Sequence, residues 1–296
     1  MSMVSRRREV LSAYVTLTKP RIVLLLLITT VPAMILAQGG VPSVRLIGAT
    51  LLGGTVAAGG ANAMNQYFDR DIDEIMRRTR HRPLPAHAIE PPHALIFGLA
   101  MGAAAFILLA TAVNLLSAAL AIGAMAFYVL VYTLWLKRSS PQNIVIGGAA
   151  GAVPVLVGWA AVTGRVGAPA WVLFAIVFMW TPPHFWALAM RYERDYAAAR
   201  IPMLPVVAGV ESTTRHILVY SVLLLATSLA LVPVGGVGVL YLGAALGLGV
   251  AFVAGAVRLR RDPTPATAMR LFRFSIVYLA LLFAAVSADT LLHVRL

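Results

Sequence analysis

The chain has no cysteine, and its 296 residues hold only 11 aspartates and glutamates against 24 lysines and arginines. Lack of thiols excludes disulfides and thiolate metal sites. Charge is equally scarce. Only 12% of residues are charged and 60% are hydrophobic, with mean hydropathy +0.86, which excludes an ordinary soluble domain. Linkers, low-complexity tracts and soluble insertions are also missing, so residues 1–296 read as one intramembrane domain with a basic cytoplasmic segment at 1–20. That segment has no cleavable apolar stretch and is short for a mitochondrial transit peptide, which favours a bacterial-type cell inner membrane.

What is present is a series of long apolar runs, each able to cross roughly 30 Å of hydrocarbon at about 1.5 Å per residue. Backbone amides in lipid must bond within their own segment, so the fold is expected to be all-α, a polytopic transmembrane bundle. Nine helices are expected, at about 21–37, 45–66, 93–112, 115–136, 143–162, 170–190, 216–235, 237–257 and 272–292. Basic residues accumulate in cytoplasmic loops, and with these spans all but Arg45, Arg165 and Arg295 of the 24 fall on one side. The pattern predicts a cytoplasmic N-terminus and an external C-terminus. The net charge of +13 then reflects topology and anionic lipid headgroups, and nucleic acid is not expected as a partner. Glycine and alanine crowd the second, fifth and eighth spans and predict close helix contacts. Pro182 and Pro183 in WTPPHFW are expected to kink the sixth span or to free carbonyls toward a cavity.

Four of the 11 acids lie between residues 69 and 74, where the second span ends. Asn65, Asp69 and Asp73 follow at i, i+4 and i+8, so a continuing helix lines up their oxygens on one face. Mg²⁺ takes oxygen ligands, keeps several waters, and is typically held by one or two carboxylates together with substrate phosphates. Arg77, Arg78, Arg80 and Arg82 follow at once, and carboxylates, Mg²⁺ and arginine together suit a diphosphate whose charge grows as it leaves. The plainer alternative is a solvated helix end paired with neighbouring arginines. The stripe, the adjoining Asn65 and a second acidic segment on the same side weigh against it.

In that second segment, residues 190–207, Glu193 and Asp195 stand beside Arg191 and Arg194 just after the sixth span. Asp195 could serve a second metal, and a surface ion pair is an equally good local reading. His184, inside the proline-bearing span with Trp180, Phe185 and Trp186, is a candidate imidazole ligand, or a packing histidine bonded to a free carbonyl. Asp289 reads as paired or facing an aqueous edge. A secondary transporter is the rival from another class. It is opposed by the place of the charges at helix ends and by the want of a clear inverted repeat.

The N-x-x-x-D-x-x-x-D pattern of Asn65, Asp69 and Asp73 resembles that of the intramembrane aromatic prenyltransferase (UbiA-type) superfamily. LTKPRI, NQYFDRDIDEIMRRTRHRPLP, QNIVIGGAAGAVPVLVGWAAVTG, WTPPHFWALAM and IPMLPVV are similar to the branch that farnesylates protoheme IX, from about residue 14 to the last span. The resemblance implies nine helices around a central cavity, capped by both acidic segments. It implies Mg²⁺-assisted ionisation of farnesyl diphosphate and capture of the allylic cation by a vinyl group of heme B. It also implies roles: Asn65, Asp69 and Asp73 for metal and diphosphate, Asp195 for the second metal, and Lys19, Arg21, Arg77, Lys137 and Arg194 for the diphosphate. Aromatic rings would shield the cation. A heme A synthase or an oxidase-assembly factor is the implied protein partner, and a quinone-precursor or chlorin prenyltransferase is the nearer alternative. Two positions depart from the pattern: Ala198 stands where the superfamily usually has a further Asp, and Arg200 where the heme branch commonly has Gly.

Overall fold

The computed structural model describes residues 3–292, apart from the side chains of residues 3–8, 21, 22 and 24–27. The side chain of Arg21, and His293 and Arg295 entirely, thus lie outside the described groups. Among the described residues every regular element is a helix: α1 Met3–Leu17, α2 Pro20–Gln38, α3 Val44–Phe68, α4 Arg70–Ile75, α5 Pro91–Ala112 and α6 Leu115–Ser139. There follow α7 Asn143–Thr163, α8 Ala168–Arg191, α9 Glu193–Ala198, α10 Leu204–Gly235, α11 Val239–Arg261 and α12 Pro265–Leu292. Eight of these, α3, α5 to α8 and α10 to α12, are long and apolar enough to cross a bilayer, and α2 takes the place of the first expected span.

The spanning helices form a closed ring. Each packs on the next in chain order, and α12 returns to α2. Contacts of α2 with α7 and of α8 with α12 cross the middle, dividing the ring into an N-terminal lobe and a smaller C-terminal lobe. Small residues allow this closeness. A Cβ at Gly60 of α3 would lie 2.8 Å from the Gly98 carbonyl of α5, and one at Gly158 of α7 would lie 2.7 Å from the Thr30 carbonyl of α2.

Three departures from the expected spans have local causes. The basic N-terminal segment, where no apolar run predicts an element, forms α1, a fifteen-residue helix that ends one residue short of Thr18. The span expected from residue 216 starts at Leu204 and bends at Gly209, whose φ of 74° is open to glycine at little cost. Pro182 and Pro183 do not interrupt α8, which runs from Ala168 to Arg191. They withhold two N–H donors, yet tight packing on α10 and α12 holds the helix together. Asp289, buried near the end of α12, accepts from the Gly238 and Tyr241 N–H groups at 2.6 and 3.1 Å and so caps the first turn of α11 from a neighbouring helix.

Candidate active site

α1, α4, α9, the start of α2 and the C-terminal ends of α3, α6 and α8 gather at one end of the bundle. α3 stops at Phe68, but the bonds Asp69 N–H to Asn65 O (2.9 Å) and Asp73 N–H to Asp69 O (2.8 Å) carry the helical repeat through the joint into α4. Asn65, Asp69 and Asp73 therefore keep one face, as their spacing predicts. The face points inward. Asn65 is 3% exposed, Asp73 1% and Asp69 0%.

Buried carboxylates require partners, and each has cations. Lys137, at the end of α6, pairs with Asp69 Oδ2 at 2.5 Å, and Asn65 Nδ2 donates to the same oxygen at 2.7 Å. Arg82 donates from one nitrogen to both Asp73 oxygens, at 2.9 and 2.7 Å. Lys19 Nζ donates to Asn65 Oδ1 at 2.8 Å. Of the carboxylate oxygens on this face, Asp69 Oδ1 is buried and has no hydrogen-bond partner among the described residues, as is true of the nearby Gln66 Oε1.

Several elements hold these groups in register. Asn62 and Gln66, one helical turn apart on α3, donate to the Thr18 and Leu17 carbonyls at the end of α1. They fix Lys19, which sits at φ 51°, a left-handed conformation costly for a side-chain-bearing residue and one that ends α1 before Pro20 starts α2. Burial, with Arg82 next in weight, pushes the Lys19 amine down to about 7. Within α6 the stretch Phe127–Leu136 is wound as a π-helix, and Thr133 bonds back to the Tyr128 carbonyl while receiving Asn65 Nδ2 at 3.0 Å. Arg138 grips Asp71 and the Phe68 carbonyl, tying the end of α6 to the α3–α4 joint, and its hydrogen bonds hold the Asp71 carboxyl below the usual range. Tyr128 and Tyr132 stack at 5.3 Å.

The second acidic segment is built differently. Asp195, in the first turn of α9, is half-buried, and its carboxylate has no bonded partner among the described residues. Asp69, Asp73 and Asp195 do not converge into a three-ligand metal cluster there. Arg194 and Arg77 are exposed and without ion pairs among the described residues. The link between the segments is Arg78, whose guanidinium donates to the Tyr196 hydroxyl at 3.2 Å and lies 5.4 Å from the Tyr192 ring. Arg200 has a backbone account: at φ 54° it occupies the left-handed position of a Schellman cap on α9, with its own N–H on the Ala197 carbonyl and the Ile201 N–H on that of Tyr196. Glycine fits such a position without strain.

His184 stands in the C-terminal lobe. Its ring is stacked between Trp180 (4.2 Å) and Phe272 (4.6 Å), and Nδ1 bonds Ser275 Oγ at 2.6 Å, the geometry of a histidine that packs α8 against α12. Sequence reasoning passed over Arg82, Arg78, Thr133, Asn62 and Gln66 as individual contributors. Thr133 had a signal, a polar residue inside an apolar span, and Asn62 and Gln66 flank Asn65 on a polar strip of α3. Nothing in spacing distinguishes Arg82 from its neighbours.

A buried Asn–Asp–Asp face ringed by basic groups at the end of a ring of helices narrows the choice of family, and comparison with known proteins decides it. The family described as UbiA prenyltransferase matches residues 26–282. The chain belongs to the UbiA prenyltransferase family. Within that family it is 56% identical to a protoheme IX farnesyltransferase of Parafrankia sp. over 95% of this chain and 90% of that protein. It is 54% identical to the one of Gloeobacter violaceus over 97% and 95%. Among solved structures, a digeranylgeranylglyceryl phosphate synthase superposes with TM-score 0.79 at 18% identity, covering 95% of this chain and 99% of the other. A UbiA homologue from Archaeoglobus fulgidus bound to GPP and Mg²⁺ gives TM-score 0.62 at 17% identity, covering 93% and 99%. Membership removes the transporter reading.

Proposed function

We propose that this chain transfers the farnesyl group of farnesyl diphosphate to a vinyl group of protoheme IX (heme B), giving heme O with its hydroxyethylfarnesyl side chain. Extended identity to protoheme IX farnesyltransferases supports the acceptor. The observation that carries the chemistry is the buried, unpartnered Asp69 Oδ1 inside a ring of Lys19, Lys137 and Arg82. Amide and carboxylate oxygens of Asn65, Asp69 and Asp73 form a hard donor set that fits Mg²⁺. Asp195 would complete a second site once substrate phosphates bridge the gap. When bound, Mg²⁺ supplies charge neutralisation for the departing diphosphate.

The chain's own residues do the rest. Lys19, Lys137 and Arg82, which neutralise the acidic face, would turn their donors toward phosphate oxygens. Arg77 and Arg194, exposed at the same end, would reach the diphosphate from outside the buried ring, and Arg21, next to Pro20 in the sequence, is a further candidate cation. Cleavage of the C–O bond leaves both electrons on the diphosphate and an allylic cation, which aromatic rings such as the stacked Tyr128 and Tyr132 would shield. The heme vinyl group attacks that cation, and water adds to the resulting centre with loss of a proton. His184 serves by locking α8 to α12. The enzyme works in the cell inner membrane with the acidic face cytoplasmic, the C-terminus external, and an oxidase-assembly factor or heme A synthase to receive the product.

The test is a solubilised assay with heme B, farnesyl diphosphate and Mg²⁺, following heme mass by chromatography. Metal-dependent formation of heme O is expected. Transfer only to a phenol or a chlorin would overturn the acceptor and keep the site.

A further inference from the structure

α1 presents three different edges. Ala13 and Leu17 are buried against Ala63, Leu84, Ile89 and Ala94, and Tyr14 meets Phe97 edge-on at 5.0 Å. Glu9, Ser12 and Thr16 line a cavity of about 410 Å³ shared with His81 and Pro83. The remaining edge is apolar and has no cover: Leu11 is 67% exposed and Val15, one turn on, 52%. In water that edge would be costly. Its surroundings are not plain water. Only Thr18 and Lys19 separate α1 from spanning helix α2, and at about 3.5 Å per residue that link cannot carry α1 away from the boundary of the membrane. The Leu17 and Thr18 carbonyls are moreover tied to Gln66 and Asn62, within the last two turns of α3. The sequence also puts Arg6, Arg7 and Arg8 in the first turns of the same helix, a charge that complements anionic headgroups.

We propose that α1 is a membrane-surface helix: its Leu11–Val15 edge docks into the headgroup region of an anionic bilayer, and this contact helps to place Lys19 on the acidic face. Docking follows from the three edges of α1 alone. Its consequence for catalysis rests on the diphosphate role proposed for Lys19, so the two are tested separately.

The cysteine-free chain makes the first test direct. Leu11→Cys, Val15→Cys, Ser12→Cys and Thr16→Cys are made singly in the full-length protein, nitroxide-labelled, and placed in bilayer discs of phosphatidylglycerol and phosphatidylcholine. Oxygen should relax the labels at 11 and 15 more than a water-soluble nickel chelate does, with the reverse at 12 and 16. Free access of the chelate at all four sites sinks the proposal. So does screening of 11 and 15 from both reagents, which would mean a protein partner covers the edge. In the second test, the paired change Leu11→Gln with Val15→Gln should raise KM for farnesyl diphosphate about fivefold at unchanged kcat, roughly 1 kcal/mol of binding. The same rise is expected for the unaltered protein in phosphatidylcholine alone. An unchanged KM in both cases overturns the link to Lys19, whichever acceptor the enzyme uses.

Discussion

The two acidic segments meet at the same end of the bundle under opposite physical conditions. The first is buried, and Lys137, Arg82, Asn65 and Lys19 answer it. The second is half-buried and leaves Asp195 without a bonded partner among the described residues. A carboxylate removed from water has its geometry fixed by the groups that compensate it, whereas one at the rim keeps its hydration and its freedom. The first segment is thus held in place by its own partners, and the second is not.

The largest effect should come from setting the two against each other. Asp69→Ala should lower kcat/KM for heme farnesylation by about 10³-fold or more, and Asp195→Ala by about 10–30-fold, since only the first removes preorganised charge stabilisation. Equal losses in the heme-mass assay would erase the distinction. The next contrast is in pH. Diphosphate favours charged Lys19, and the free protein loses that charge as pH rises through about 7. Binding must then restore the proton, so KM for farnesyl diphosphate should climb by up to about tenfold per pH unit above that point. Lys19→Arg, charged throughout, should flatten the climb, while the profile of the Asp195→Ala enzyme should keep it.

A smaller effect belongs to the joint between the segments. Arg78→Ala should raise KM about fivefold and Tyr196→Phe about twofold, with the double variant near the larger single value because the two changes break one contact. Arg78→Lys, which keeps charge but loses the planar fork, should restore little. Full additivity, measured from the same rates, would show that the contact does not couple the segments. The smallest effect is purely local: Arg200→Gly should stabilise the cap of α9 by about 1 kcal/mol, read as a rise in thermal midpoint in detergent with activity unchanged.

Fold and site were legible in the sequence to different depths. Hydrophobic runs located the spans, eight of them long and apolar enough to cross a bilayer among the described residues and α2 in the place of the first, because lipid leaves a backbone no alternative to the helix; Asn65, Asp69 and Asp73 announced their shared face through spacing along one element. The proline pair leaves α8 unbroken, because packing across it offsets two missing donors that would break an isolated helix. α1 escaped because fifteen residues with scattered apolar positions give no spanning signal. Within the loop after α4, Arg77 and Arg82 look alike as letters, and only the chain's path through Thr79 and Pro83 brings Arg82 back onto Asp73.

By itself, then, the sequence determined the solvent of this protein, its helical class, the face that carries its acids and the oxygen chemistry they offer, because each depends on composition or on spacing within one helix. Tertiary structure alone decided which cations neutralise which carboxylate, that Asp69 keeps a buried oxygen without a partner among the described residues, that His184 stacks between Trp180 and Phe272, and that Lys19 is held in a strained turn. Those outcomes depend on groups that no single helix brings together: Lys19 and Asn65 are 46 positions apart, Lys137 and Asp69 are 68, and Arg82 reaches Asp73, 9 positions away, only because the loop folds back. No local pattern encodes such contacts; they exist only once the ring has closed.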